Sequence, residues 1–192
     1  MKNYSKLFLS ALFIAASFGL QAQDDDDDAH DIVIGVPAVA LVDIEGASGT
    51  TINLGADAPT EAGLPVDFAA GASNSDLWIN YSSIKDSANA TRSIAAKISS
   101  GTLPAGMTLT VTAGADAGNG DGTVGSSAGA VSLTTSDQDV ITGIGSAYTD
   151  DGASNGHNLT YGLAITTGAG NYALLDASNN TTIEITYTIS DI

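Results

Sequence analysis

The chain has 192 residues, with 5 Lys and Arg against 22 Asp and Glu, a formal charge of −17 and no cysteine. So negative a balance repels nucleic acid and anionic membrane surfaces, and favours solubility, cations or a partner with a basic groove. The lack of thiols excludes disulfides, and two histidines are too few for a histidine-based zinc site.

The first residues have the order of a targeting segment. Lys2 and Lys6 supply positive charge, Leu7 to Leu20 form an apolar run, and Leu20-Gln21-Ala22 offers a small residue for cleavage. That run is shorter than the ~20 residues a spanning helix needs, and no later stretch approaches that length. The C-terminal residues are strand-like, so neither a tail anchor nor a lipid motif is expected there. The expectation is a cleaved signal peptide over 1–22 and an exported chain, secreted or held at the cell surface, with no membrane insertion. Cleavage leaves three cationic against 22 acidic side chains, a formal −19. The about 170 residues that remain suit one domain with a core large enough to manage without disulfides. Asp24 to Asp28 are five like charges in a row, expected to form a disordered acidic spacer over 23–31.

DIVIGVPAVALVDIEG follows at 31–46. Read as a strand, it places Ile32, Ile34, Val36, Ala38, Ala40, Val42 and Ile44 on one face. Val33, Val39 and Leu41 lie on the other, around Gly35 and Pro37. A strand apolar on both faces belongs in the middle of a sandwich, yet Pro37 cannot donate to a ladder and favours an edge or a break. Either two strands split near Pro37, or the segment leaves its own domain and completes a neighbour's, as donated strands do.

From here the chain reads as short strands between turns. TINL (51–54), LWINYSSI (77–84), TRSIAAKIS (91–99) and GAVSLTT (129–135) are candidates. Three runs alternate cleanly. MTLTVTA turns Met107, Leu109, Val111 and Ala113 one way, and LTYGLAI does the same with Leu159, Tyr161, Leu163 and Ile165. TTIEITYTISDI does so with Ile183, Ile185, Tyr187 and Ile189. LPAG, GNGDG, DDGASNG and DASNN supply the turns. QDVITGIG (138–145) is expected to hold at most a helical turn, because its glycines oppose more. The fold class expected is all-β, a single antiparallel β-sandwich over residues 32–192.

Three features bear on chemistry. DAGNGDG and TDDGASNGHN place Asp116, Asn119, Asp121, Asp150 and Asp151 on Gly-rich loops, the hard oxygen ligands calcium requires, although turn formation alone also accounts for them. Trp78 shares a strand face with Asn80 and is expected to be partly exposed if Leu77, Ile79 and Tyr81 enter the core. GSSAG (125–129) matches G-x-S-x-G with Ser127, followed by Asp150 or Asp151 and then His157. The strand-turn-helix that such an elbow needs is not predicted, so no catalytic residue is assigned.

The signal peptide, the early alternating segment running into D-I-E-G, the Thr/Ala/Gly-rich strands, and Gly170 and Tyr172 ahead of the strand Ile183 to Ile189 form a combined pattern. It resembles subunits of chaperone–usher-type fimbriae, in particular the alternate, N-terminally donating and spore-coat-U-like groups. The likeness covers much of 31–192 and departs in two places. The Asp tract precedes the donor segment, and Leu174 to Asn180 separate Tyr172 from the last strand. The resemblance implies a pilin-like, Ig-like sandwich whose residues 32–44 fill the groove of the next subunit, with self-association or a secretion chaperone as partners. Head-to-tail contacts that do not close give a filament. The function expected is therefore a non-enzymatic structural subunit of a surface fibre or extracellular matrix, open to an adhesive role. The alternative is a stand-alone extracellular module that binds glycan or calcium.

Overall fold

A computed structural model describes residues 27–68 and 72–192. The expected signal peptide and the first Asp residues of the acidic tract lie outside them. Residues 27–35 belong to a unit separate from 36–192; they form no regular secondary structure, and their side chains are exposed.

The described residues of the second unit form eleven strands: β1 (Val39–Gly46), β2 (Ser73–Ile84), β3 (Arg92–Ser100), β4 (Met107–Asp116), β5 (Asp121–Gly122), β6 (Ser126–Ser127), β7 (Ala130–Ser132), β8 (Gln138–Ile144), β9 (Ala147–Tyr148), β10 (His157–Ile165) and β11 (Glu184–Asp191). Among the described residues a single 3-10 turn at Asn171–Leu174 is the only helical element. Every strand pairing is antiparallel, and there are two sheets. In the seven-stranded sheet β1 takes one edge of β2. On the other edge β10 pairs along residues 73–79 and β9 at 82–83, after which β10 leads to β4 and β7, and β9 to β5. The four-stranded sheet runs β11-β3-β8-β6.

Period-two patterning decides which faces meet. Leu77, Ile79 and Tyr81 of β2, Leu109, Val111 and Ala113 of β4, and Leu159 and Tyr161 of β10 form the inner face of the larger sheet. Ile94, Ala96 and Ile98 of β3 and Val140, Ile141 and Ile144 of β8 oppose them from the smaller. This is the antiparallel sandwich that the alternation predicts. Fully burying each Ile, Leu or Val contributes about 1.5–3 kcal/mol. Val42 and Ile44 of β1, and Ile183, Ile185, Tyr187 and Ile189 at β11, pack half-buried on this core from one side of the sandwich.

Two polar links join the sheets. The Tyr161 and Tyr187 hydroxyls lie 2.7 Å apart across the gap, and burial pushes both phenols above their ordinary range. At the other link, buried Arg92 opens β3. Its Nε donates to Asp191 at the end of β11, and its Nη1 to the Val39 carbonyl at the start of β1. Nη1 also reaches Ser83 Oγ (3.2 Å) and the Ile84 carbonyl (3.4 Å) at the end of β2.

Two expected elements differ. QDVITGIG is strand β8, not a helical turn: Gly143, at φ 75°, sits in a bulge where Arg92 pairs with Ile144 and Ile94 with Ile141. Glycine tolerates that left-handed conformation, so the residue that argued against regular structure is what lets β8 bend. TINL forms no strand, although Ile52 and Leu54 still pack on the core. In the segment 31–46 pairing begins at Val39, two residues after Pro37, and only the C-terminal part becomes a strand.

Candidate functional site

The two loops singled out for calcium are brought together. Ala117 N donates to the Gly156 carbonyl (2.8 Å), and Asn119 Nδ2 donates to Asn155 Oδ1 (2.6 Å). Asn80 of β2 pins the second loop, accepting from Gly152 N (2.9 Å) and donating to the Asn155 carbonyl (2.7 Å). Gly156 closes against this strand so tightly that a Cβ would lie 2.2 Å from the Ile79 carbonyl.

The carboxylates themselves serve the turns. Asp116 Oδ2 accepts from Gly118 N (2.8 Å), Asp121 Oδ1 from Gly122 N (2.7 Å) and Asp150 Oδ1 from Asp151 N (3.1 Å). Among the described residues no three of His, Cys, Asp and Glu gather as a metal would require. Asp116 Oδ1 is buried without a hydrogen-bond partner. The Tyr81 phenol is held well above its ordinary range, by burial first and then by the charge of Asp116.

His157 lies beneath these loops, fully buried. A carbonyl only accepts, so Nδ1 donates to Gly114 O (2.9 Å) and Nε2 accepts from the Tyr81 hydroxyl (3.0 Å), with the two rings stacked at 5.8 Å. Both ring nitrogens are occupied. Ser127 sits exposed on β6 in the other sheet, where its hydroxyl accepts from Gly129 N (3.1 Å). The sequence order Ser127, Asp150, His157 therefore assembles no hydrogen-bonded relay.

Trp78 faces outward, half-buried, opposite Glu45 on β1 and Asn158 on β10. It lines a depression of ≈ 390 Å³ together with Ser48, Thr51, Ser75, Asp76 and Ser154. That is one aromatic face among hydroxyls and a carboxylate.

Among the described residues the large apolar side chains with the greatest fractional exposure lie at 32–36. Of the seven residues read as one face of a donor strand, Ala40, Val42 and Ile44 lie in β1, paired with the chain's own β2. Ile32, Ile34, Val36 and Ala38 lie in no strand. Ile32 and Val36 are 72% exposed, Ile34 85% and Val33 96%. Among the described residues this stretch has no β-ladder partner; the pairing with β2 begins at Val39, opposite Ile84, where β2 ends.

A second apolar surface is carried on the outer face of the larger sheet. Leu41 pairs with Ser82 and Val39 with Ile84, and Ser82 pairs with Tyr148 of β9 on the far flank. Together they line a groove of ≈ 530 Å³. Leu41 is 65% exposed, Tyr148 52% and Ile84 37%. Sequence reading missed this groove, since it draws on four strands. Its local signal was Val39 and Leu41, apolar side chains on the second face of their segment.

No described helix is long and apolar enough to cross a membrane. Comparison with protein-family models, curated proteins and solved structures finds no match for the chain.

Proposed function

We propose that the protein is an exported structural subunit of a surface fibre or extracellular matrix, joined to other copies through residues 32–36. The observation that carries this reading is the exposure of Ile32, Val33, Ile34 and Val36 beside a strand that begins only at Val39. Each such side chain gains about 1.5–3 kcal/mol on full burial, and four uncovered in sequence amount to a ready association surface. The acidic tract upstream keeps this surface hydrated until a partner covers it. The likeness to N-terminally donating fimbrial subunits supports the same reading, with the donated part shortened at its C-terminal end to the residues that precede β1.

The test is the protein taken from the surface of the producing cells and run in SDS with and without boiling. A ladder that collapses on boiling, and is absent when residues 31–38 are deleted, is the expected result. A lone monomer band under both conditions would remove the fibre reading. A single band at dimer size would limit assembly to a closed pair.

The depression beside Trp78 favours a second reading, a glycan-binding module, because a half-buried indole that faces outward among hydroxyls offers a stacking face and hydrogen bonds. Quenching of the fluorescence of Trp78, the sole tryptophan, by a panel of oligosaccharides checks it.

A further inference from the structure

We propose that the groove walled by Val39, Leu41, Ile84 and Tyr148 receives residues 32–36 of a second copy of this chain. The inference rests on the reading that the N-terminal segment joins subunits, and names its acceptor. The outer face of a half-solvated antiparallel sheet is normally polar. Here apolar side chains from β1, β2 and β9 adjoin on it, with Asp121 of β5 as the one charged residue in the lining.

The occupant follows from charge and chain geometry. The protein carries 22 acidic groups, and most contacts between copies meet like-charge repulsion. Residues 32–42 form an uncharged stretch, bounded by Asp31 on one side and Asp43 on the other. A segment from Ile32 to Val39 extends roughly 23 Å at ~3.3 Å per residue, enough to span between neighbouring molecules. Its own groove is disfavoured. Val39 is itself a wall of that groove, and the chain would have to reverse within Pro37 and Ala38, the only residues between Val36 and Val39. Peeling β1 away to give slack is opposed by Arg92, which holds the Val39 carbonyl.

The absence of cysteine makes the test direct. Full-length mature chains carrying Ile34→Cys and Tyr148→Cys separately, one with a size tag, are mixed and oxidised, and the mixed disulfide is read on a non-reducing gel. A mixed product several-fold above that of Ile34→Cys with Thr188→Cys on β11 is the expected result. Adding Leu41→Glu to the Tyr148→Cys chain should abolish the product while the melting temperature stays near that of the parent. Equal or greater cross-linking at Thr188, with the unboiled ladder intact, would overturn the groove and leave donation standing. A disulfide that closes only within one chain carrying both cysteines would overturn the second copy as occupant. No mixed product and no assembly would remove both readings.

Discussion

Arg92 is the residue whose loss should travel furthest through the fold. It is buried, and its guanidinium bonds Asp191, the carbonyls of Val39 and Ile84, and the Ser83 hydroxyl, joining β1, β2, β3 and β11. Arg92→Met keeps much of the side-chain volume and removes every donor. The ion pair itself is worth little, since the Asp191 carboxylate is about half exposed and water replaces the arginine there. Ser83 retains its bond to the Gly145 carbonyl (2.7 Å). What is left is two strand-end carbonyls without their charged donor. Bonds to charged groups are worth about 1.5–3 kcal/mol each and are not additive, so about 2–4 kcal/mol is expected. At roughly 2–4 °C per kcal/mol for a domain this size, the Tm falls by about 10 °C. Asp191→Asn should cost less than about 1 kcal/mol. Hydrogen exchange at Val39 to Leu41 should accelerate in Arg92→Met more than exchange in β4 or β10. Thermal melts of the two variants and the parent decide it. A loss within about 0.5 kcal/mol for Arg92→Met, the range of ordinary surface changes, would refute this account of how β1 is held.

Three further expectations follow from the site. Tyr81→Phe removes the hydroxyl that donates to His157 Nε2 and leaves a fully buried acceptor unpaired, a cost of about 1–3 kcal/mol by chemical denaturation. A change under about 0.5 kcal/mol would deny that bond. The folded protein holds the phenolic protons of Tyr81, Tyr161 and Tyr187 more tightly than the unfolded chain does. Their contribution to stability is therefore complete below the ordinary tyrosine pKa of about 10 and is lost as pH rises above it. Phenolate absorbance from these three should appear only together with unfolding, and their ionisation in the folded state would contradict their burial. Millimolar calcium should leave the Tm unchanged, because Asp116, Asp121 and Asp150 are engaged in turns. A rise of several degrees that a chelator reverses would show that the loops 116–122 and 150–156 rearrange around the ion.

The strands legible in the sequence are those with one face in the core and one in solvent. In β4, β10 and β11 the period of two is uninterrupted over most of the strand, and pattern and structure agree at Leu109, Val111, Leu159, Tyr161 and Ile185. β8 was hidden because two bulges break the period, one at Gly143 and one at Val140 between the pairs Ile94–Ile141 and Ala95–Asp139, so that Val140, Ile141 and Ile144 are all buried. β5, β6 and β9 have two residues each; no periodicity exists at that length, and the partner strand alone defines them. TINL carries the apolar pattern of a strand without a neighbour to pair with. Pro37 announced the break in 31–46, but where pairing resumes depends on where β2 ends, which is not a local property. The same applies to the site. The Asp and Asn turns were visible one at a time, but not that Asn119 meets Asn155 or that Leu41 lies on the same sheet face as Tyr148.

The central claim is that residues 32–36 hold copies of this chain together. Its most direct measurement is the mass of the chain from Gln23 to Ile192 in solution by light scattering, over a range of concentrations, beside the same chain lacking residues 31–38. Assembly above the monomer in the first and a folded monomer in the second is the predicted result. Equal masses for the two chains, both folded, would contradict it.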